Sequence, residues 1–242
     1  MTYGKFFTGG WWRGVALLVA AGGLFSVGLS RAWAQAADHS EPLYAYTLIE
    51  AATGLTNENQ DSVQSLMLDG WYGGDRSRLW WQADADWQAG VQKGGGIAAW
   101  YGHYFAPFWD VQVGLRSEGH PSSVHYLSVG VRGLAPYEYD TDIKLDLRRD
   151  GKALLHAHFE QEWLLTNRLI LRPSLAVALS GSDVDATVRK GLYQANMAAQ
   201  LRYEFSRKTA AFAEISRAMY LRTTAAGESD ATHFVLGLRL VF

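Results

Sequence analysis

The sequence predicts an all-β fold, an up-and-down antiparallel transmembrane β-barrel of about twelve strands. Three observations predict it. Apolar and polar residues alternate through tracts of about ten residues, long enough to cross a bilayer at a tilt and longer than the ~5–6 residues of a typical strand. Short turns alternate with generally longer polar connections along the chain. The last ten residues, "HFVLGLRLVF", form such a tract, with Phe234, Leu236, Leu238, Leu240 and Phe242 on one side and His233, Val235, Gly237, Arg239 and Val241 on the other.

The chain has 242 residues. Lys5 and Arg13 precede an apolar run over residues 15–29, followed by Ala32-Trp33-Ala34. A positive start, a modest apolar stretch and an A-x-A pattern describe a secretory signal peptide cleaved after Ala34. The expected organisation is a signal peptide over residues 1–34, a short periplasmic segment over 35–42 and a barrel over 43–242. Without cysteine, disulfides and thiolate metal sites are excluded. Removing Lys5, Arg13 and Arg31 leaves 19 basic against 24 acidic residues, which argues against a nucleic-acid partner. Beyond the leader no continuous apolar 20-mer occurs, so helical spans are not expected. Alternating strands escape that test because their hydropathy averages to neutral.

Each tract places its apolar set toward lipid and its polar set toward a lumen. Leu79, Trp81, Ala83, Ala85 and Trp87 oppose Arg78, Gln82, Asp84 and Asp86, with Trp80 the exception on the polar side. Trp109, Val111, Val113 and Leu115 oppose Asp110, Gln112, Gly114 and Arg116. Over residues 137–148, Tyr137, Tyr139, Ile143, Leu145 and Leu147 oppose Glu138, Asp140, Asp142, Lys144, Asp146 and Arg148. Leu155, Ala157, Phe159 and Trp163 oppose His156, His158, Glu160 and Glu162. Leu169, Leu171, Leu175, Val177 and Leu179 oppose Arg172, Ser174, Ala176, Ala178 and Ser180. Tyr193, Ala195, Met197, Ala199, Leu201, Tyr203 and Phe205 oppose Gln194, Asn196, Ala198, Gln200, Arg202 and Glu204. The polar faces are too charged for a dry core and belong in water or in a network across a wet lumen. Trp109, Tyr137, Trp163, Tyr193 and Phe205 fall near strand ends, where aromatic girdles meet the membrane interfaces.

The tight connections are Tyr72-Gly73-Gly74-Asp75, Ala106-Pro107, Ala135-Pro136, Thr166-Asn167 and Ser206-Arg207-Lys208. The longer ones span residues 56–61, 92–96, 118–123, 181–189 and 223–230, broken by the brief Asp150-Gly151. Short turns belong in the periplasm and longer loops outside the cell, which places the barrel in the outer membrane against lipid.

Five motifs are more specific: "LDGWYGGDRSRLWWQADAD", "APFWDVQVGLR", "GVRGLAPYEYD", "LLTNRLILRPSL" and "LGLRLVF", in order along the chain. Together they closely resemble the copper-resistance protein B family of Gram-negative outer membranes, over nearly all of residues 43–242. The resemblance implies an outer-membrane barrel made alongside a periplasmic multicopper oxidase, acting in copper tolerance by binding or moving copper ions. Many such proteins carry a long Met- and His-rich segment before the barrel. Here residues 35–42 hold one histidine, His39, and no methionine, so any copper must meet the barrel itself. Beyond the leader the methionines are Met67, Met197 and Met219, and Met197 falls on the lipid side by phase.

His156 and His158, two apart on one strand, share a face, and Glu160 and Glu162 continue the row. Two imidazoles followed by carboxylates suit a divalent copper or zinc ion if a neighbouring strand adds a ligand, and the adjacent polar row of Glu138, Asp140, Asp142 and Asp146 is the obvious donor. His103 is a further candidate in a strand whose phase the sequence does not fix. The competing reading of the same residues is a solvated lumen wall whose acids balance Arg148, Arg172, Arg202 and Arg239. His120 and His125 read as surface residues near the outer loop, and His233 as inward-facing near the outside. Copper is expected as a ligand and not as a catalytic cofactor. A passive small-solute pore needs only the charged lumen and is the main alternative. An enzyme is not expected, since no motif brings Ser128 or Ser174 together with His156 as base.

Overall fold

In the computed structural model the described residues are 42–57, 61–119, 123–184, 188–221 and 230–242. The expected signal peptide, His39 and His120 lie outside them. From Leu43 to Phe242 the chain forms a compact unit of strand, turn, strand. The first seven strands are β1 (Tyr44–Thr56), β2 (Ser62–Gly73), β3 (Ser77–Gln88), β4 (Val91–Ala106), β5 (Trp109–Glu118), β6 (Val124–Ala135) and β7 (Tyr139–Arg148). There follow β8 (Ala153–Glu160), the two-residue β9 (Trp163–Leu164), β10 (Leu169–Ser180), β11 (Gly191–Ser206), β12 (Thr209–Tyr220) and β13 (Ala231–Val241).

Each strand pairs antiparallel with the next, except that β8 and β9 both pair with β10, and β13 pairs with β1, so the sheet closes on itself. Closure leaves no edge strand, and every backbone polar group can be satisfied inside the wall. β9 continues β8 along β10. Ser174 faces Glu160 and Leu171 faces Trp163 in one unbroken register. The ladder is interrupted beside Pro173, which has no N–H to donate, while its carbonyl still accepts from the Gln161 N–H at 3.2 Å. Counting β8 and β9 as one stave gives the twelve-stave barrel the periodicity predicts.

The two faces follow the alternation. Phe234, Leu236 and Leu238 point outward, and Leu236 keeps 67% of its surface exposed. Asp110, Gln112, Ser128, Lys144 and Asp146 are buried on the inner side. At the short-turn end Phe105, Tyr139, Trp163, Tyr203 and Phe205 stand exposed on the outer wall, an aromatic belt of the kind that sits at a membrane interface. The first strand of the barrel begins there and the last ends there: Thr47 and Phe242 exchange backbone hydrogen bonds of 3.1 and 2.9 Å.

Three expectations need correction. Tyr193 is not on the lipid side. The β10–β11 register shifts between Ala178 and Leu179, and Tyr193 is only 5% exposed, packed with Tyr126, Leu154 and Ala178 inside the wall. Gln194 pairs with Ala178 and Leu192 with Leu179, so Tyr193 is the residue the bulge adds, and the alternation breaks at it. Residues 92–96 are not a loop but part of β4. The turn is Ala89-Gly90, with φ of 50° and 76°, the positive pair that a tight hairpin of the I′ kind requires. Tyr137 and Glu138 belong to the one-turn 3-10 segment Pro136–Glu138, not to the strand.

Gly90→Val would force a β-branched side chain into that left-handed position. It is expected to cost about 1–2 kcal/mol, read as a lower urea midpoint of the refolded barrel; an unchanged midpoint would contradict the turn.

Candidate functional site

The interior holds two adjoining cavities. One of about 890 Å³ opens at the short-turn end, among Trp71, Asp75, Tyr104, Phe108, Glu138 and Glu162. The other, about 620 Å³, lies mid-barrel and is lined by Met67, Asp84, Asp86, His156, His158 and Glu214 among others. Alternation of β2, β3, β8 and β12 aims these mid-barrel side chains inward, because residues two apart share a face.

Six of the seven proposed ligands face the lumen. Asp142 stands opposite His158 and Asp140 opposite Glu160 across the β7–β8 ladder, while His156 stands opposite Lys144. Nε2 of His158 lies 3.3 Å from Oε2 of Glu160, and Nε2 of His156 lies 3.5 Å from Oδ2 of Asp146. His103 is the exception. It shares the exposed outward face of β4 with Tyr101, and its Nδ1 is 3.2 Å from the Ser77 hydroxyl. His125 is exposed, as expected of a surface residue.

The acidic row is held chiefly by cations. Arg116 meets Asp146 at 3.0 Å and also pairs with Glu118; Asp146 is only 1% exposed. Lys144 pairs with Asp142. Arg172 lies 3.7 Å from Glu160 and 3.5 Å from Glu50, which Arg239 also reaches at 3.2 Å. Arg202 holds Glu162 at 2.8 Å. Arg172, Arg202 and Arg239 thus pair with Glu50, Glu160 and Glu162, and not with the β7 row of Asp140, Asp142 and Asp146 that the lumen-wall reading set against them. Arg148 instead pairs locally with Asp150, at 3.4 Å. Among the described residues no three His, Cys, Asp or Glu side chains converge as a metal-holding group.

Several contributors were not singled out from the sequence. Met67 brings a thioether into the same cavity as the two imidazoles. Arg132 reaches Asp69 with both Nη atoms, at 3.3 and 3.5 Å, and stacks 4.4 Å from the Trp80 ring centre. Lys144 lies 5.0 Å from the Trp100 ring centre. The inward phase of Trp80 was the one available signal, since a large aromatic on a polar face needs a partner inside.

Ser128 faces Asp146 across the β6–β7 ladder, and Asp146 touches His156. Ser128 exposes 0% of its surface, however, so a nucleophile there would meet no substrate. Ser174 faces the mid-barrel cavity opposite Glu160.

Comparison with known proteins agrees with this architecture. The family model described as copper resistance protein B precursor (CopB) matches residues 45–242. Copper resistance protein B of Escherichia coli is 30% identical over 212 residues, covering 84% of this chain and 71% of that protein. The copper resistance protein B homolog of Pseudomonas syringae pv. tomato is 28% identical over 192 residues, covering 76% of this chain and 65% of that protein. Among solved structures, the NanC porin superposes with a TM-score of 0.60 at 10% identity, covering 79% of this chain and 98% of its own. The KdgM porin in complex with disordered oligogalacturonate gives 0.53 at 11% identity, covering 81% and 99%.

Proposed function

Because the chain belongs to the copper resistance protein B family, whose members are copper-resistance proteins of the outer membrane, we propose that its charged lumen binds copper ions weakly and passes them along the barrel. The observation that carries this is one cavity lined by two imidazoles, a thioether and the β7–β8 acids. Imidazole suits copper in either oxidation state and thioether suits the cuprous ion. Lys144, Arg172 and Arg202 already hold Asp142, Glu160 and Glu162, which supports weak, serial contacts over a closed chelate. Weak multi-site binding is what passage requires, since an ion must also leave.

The wide mouth at the short-turn end would face the periplasm, where a multicopper oxidase could deliver or take up the ion. No catalytic step is assigned to the barrel. The porin-like fold favours a second reading, a passive pore for small solutes.

The test is complementation of a deletion strain. The wild type is expected to restore copper tolerance and the double variant His156→Ala/His158→Ala to restore little of it at equal outer-membrane abundance. Equal rescue by both, with uptake of uncharged solutes changed by the barrel, would favour the passive pore.

A further inference from the structure

Six residues line both cavities at their junction: Leu48 on β1, Asp69 on β2, Arg132 on β6, Asp140 on β7, Glu160 on β8 and Arg172 on β10. They come from staves spread around the wall, so they form a ring and not a patch. Arg132 and Asp69 sit four staves apart in the order of the sheet, yet their side chains meet. The guanidinium therefore reaches over the lumen. Trp80 supports it, with the guanidinium carbon 4.4 Å from the ring centre, and Asp142 lies 4.0 Å from its Nε. A planar bidentate pair stacked on an indole is held in one geometry.

We infer that this ring is the constriction of the barrel, and that the Arg132–Asp69 pair sets how readily cations cross it. Rings of charged side chains select ions by sign. This one carries three carboxylates and two guanidiniums. Removing one guanidinium leaves it strongly acidic; removing Asp69 balances the two signs. The two substitutions should therefore move selectivity in opposite directions, which a purely structural role for the pair would not do. The inference needs only the wet lumen of the proposed copper path and not copper ligation.

The test uses the full-length barrel in planar bilayers under a KCl gradient, with folding checked by heat-modifiable migration. Arg132→Ala is expected to raise conductance severalfold and shift the reversal potential toward ideal cation selectivity. Asp69→Asn is expected to shift it the other way. The charge swap Asp69→Arg/Arg132→Asp rebuilds the pair and should return conductance toward the wild type. Reversal potentials unchanged in both single variants, or moved in the same direction, would overturn the assignment, as would a barrel that conducts no ions in any variant. Loss of the copper phenotype in the histidine variant is read separately, so either idea can fail alone.

Discussion

Replacing Arg116 by alanine is expected to destabilise the barrel by about 3 kcal/mol, the lower end of the range for breaking a buried ion pair. The reason lies in what remains. Asp146, 1% exposed, faces Arg116 at 3.0 Å, and without the guanidinium its charge would sit against the wall with His156 at 3.5 Å and the more distant ammonium of Lys144, which Asp142 already holds. Arg116 keeps some contact with lumen water, which screens part of the loss. The control is Arg217→Ala, whose pair with Asp230 lies on the exposed long-loop rim. An exposed pair of this kind contributes less than about 1 kcal/mol. Urea unfolding of both variants in detergent checks the contrast. Equal midpoints would mean that Asp146 is as well solvated as Asp230.

Leu236→Arg is the second large effect, expected at about 2–4 kcal/mol for an arginine on the lipid face near the bilayer midplane. Leu236 pairs with Thr53 on β1 and Ala213 on β12, midway along the closing strand, and its side chain points away from the lumen. Its neighbour Val235 lines the mid-barrel cavity. Val235→Ser should therefore leave stability nearly unchanged while Leu236→Arg impairs assembly. The reverse order would put the wrong face toward lipid.

Much of this was legible because a barrel wall repeats every two residues. Asp140, Asp142, His156, His158, Glu160 and Glu162 could be placed inside from phase alone. Phase fails where the count of residues per rung changes or where contrast vanishes. Tyr193 is itself the extra residue of a bulge in β11, opposite Ala178 and Leu179, which nothing in the alternation marks. His103 follows Gly94-Gly95-Gly96 and Ala98-Ala99, which carry no polar or apolar contrast, on a strand with its own register shift near Asp86. That glycine run also reads as a loop, while the actual turn is the less conspicuous Ala89-Gly90. Cross-lumen contacts are harder still. Arg132 and Asp69, 63 residues apart, meet across the lumen, while Arg239 and Glu50, 189 apart, face each other in the closing β1–β13 ladder. Only closure of the sheet brings such pairs together, and flanking glycines disguise Asp69 and Arg132 as turn residues. For the same reason an acidic row that reads as a ligand set proves largely engaged by arginines from other staves.

The central claim is that copper meets this protein inside the barrel, at the imidazole row. Titration of the refolded full-length barrel with copper, beside the His156→Ala/His158→Ala variant, tests it most directly. The account predicts saturable, weak binding by the wild type and its loss in the variant with the fold intact. Identical isotherms for the two proteins would contradict it.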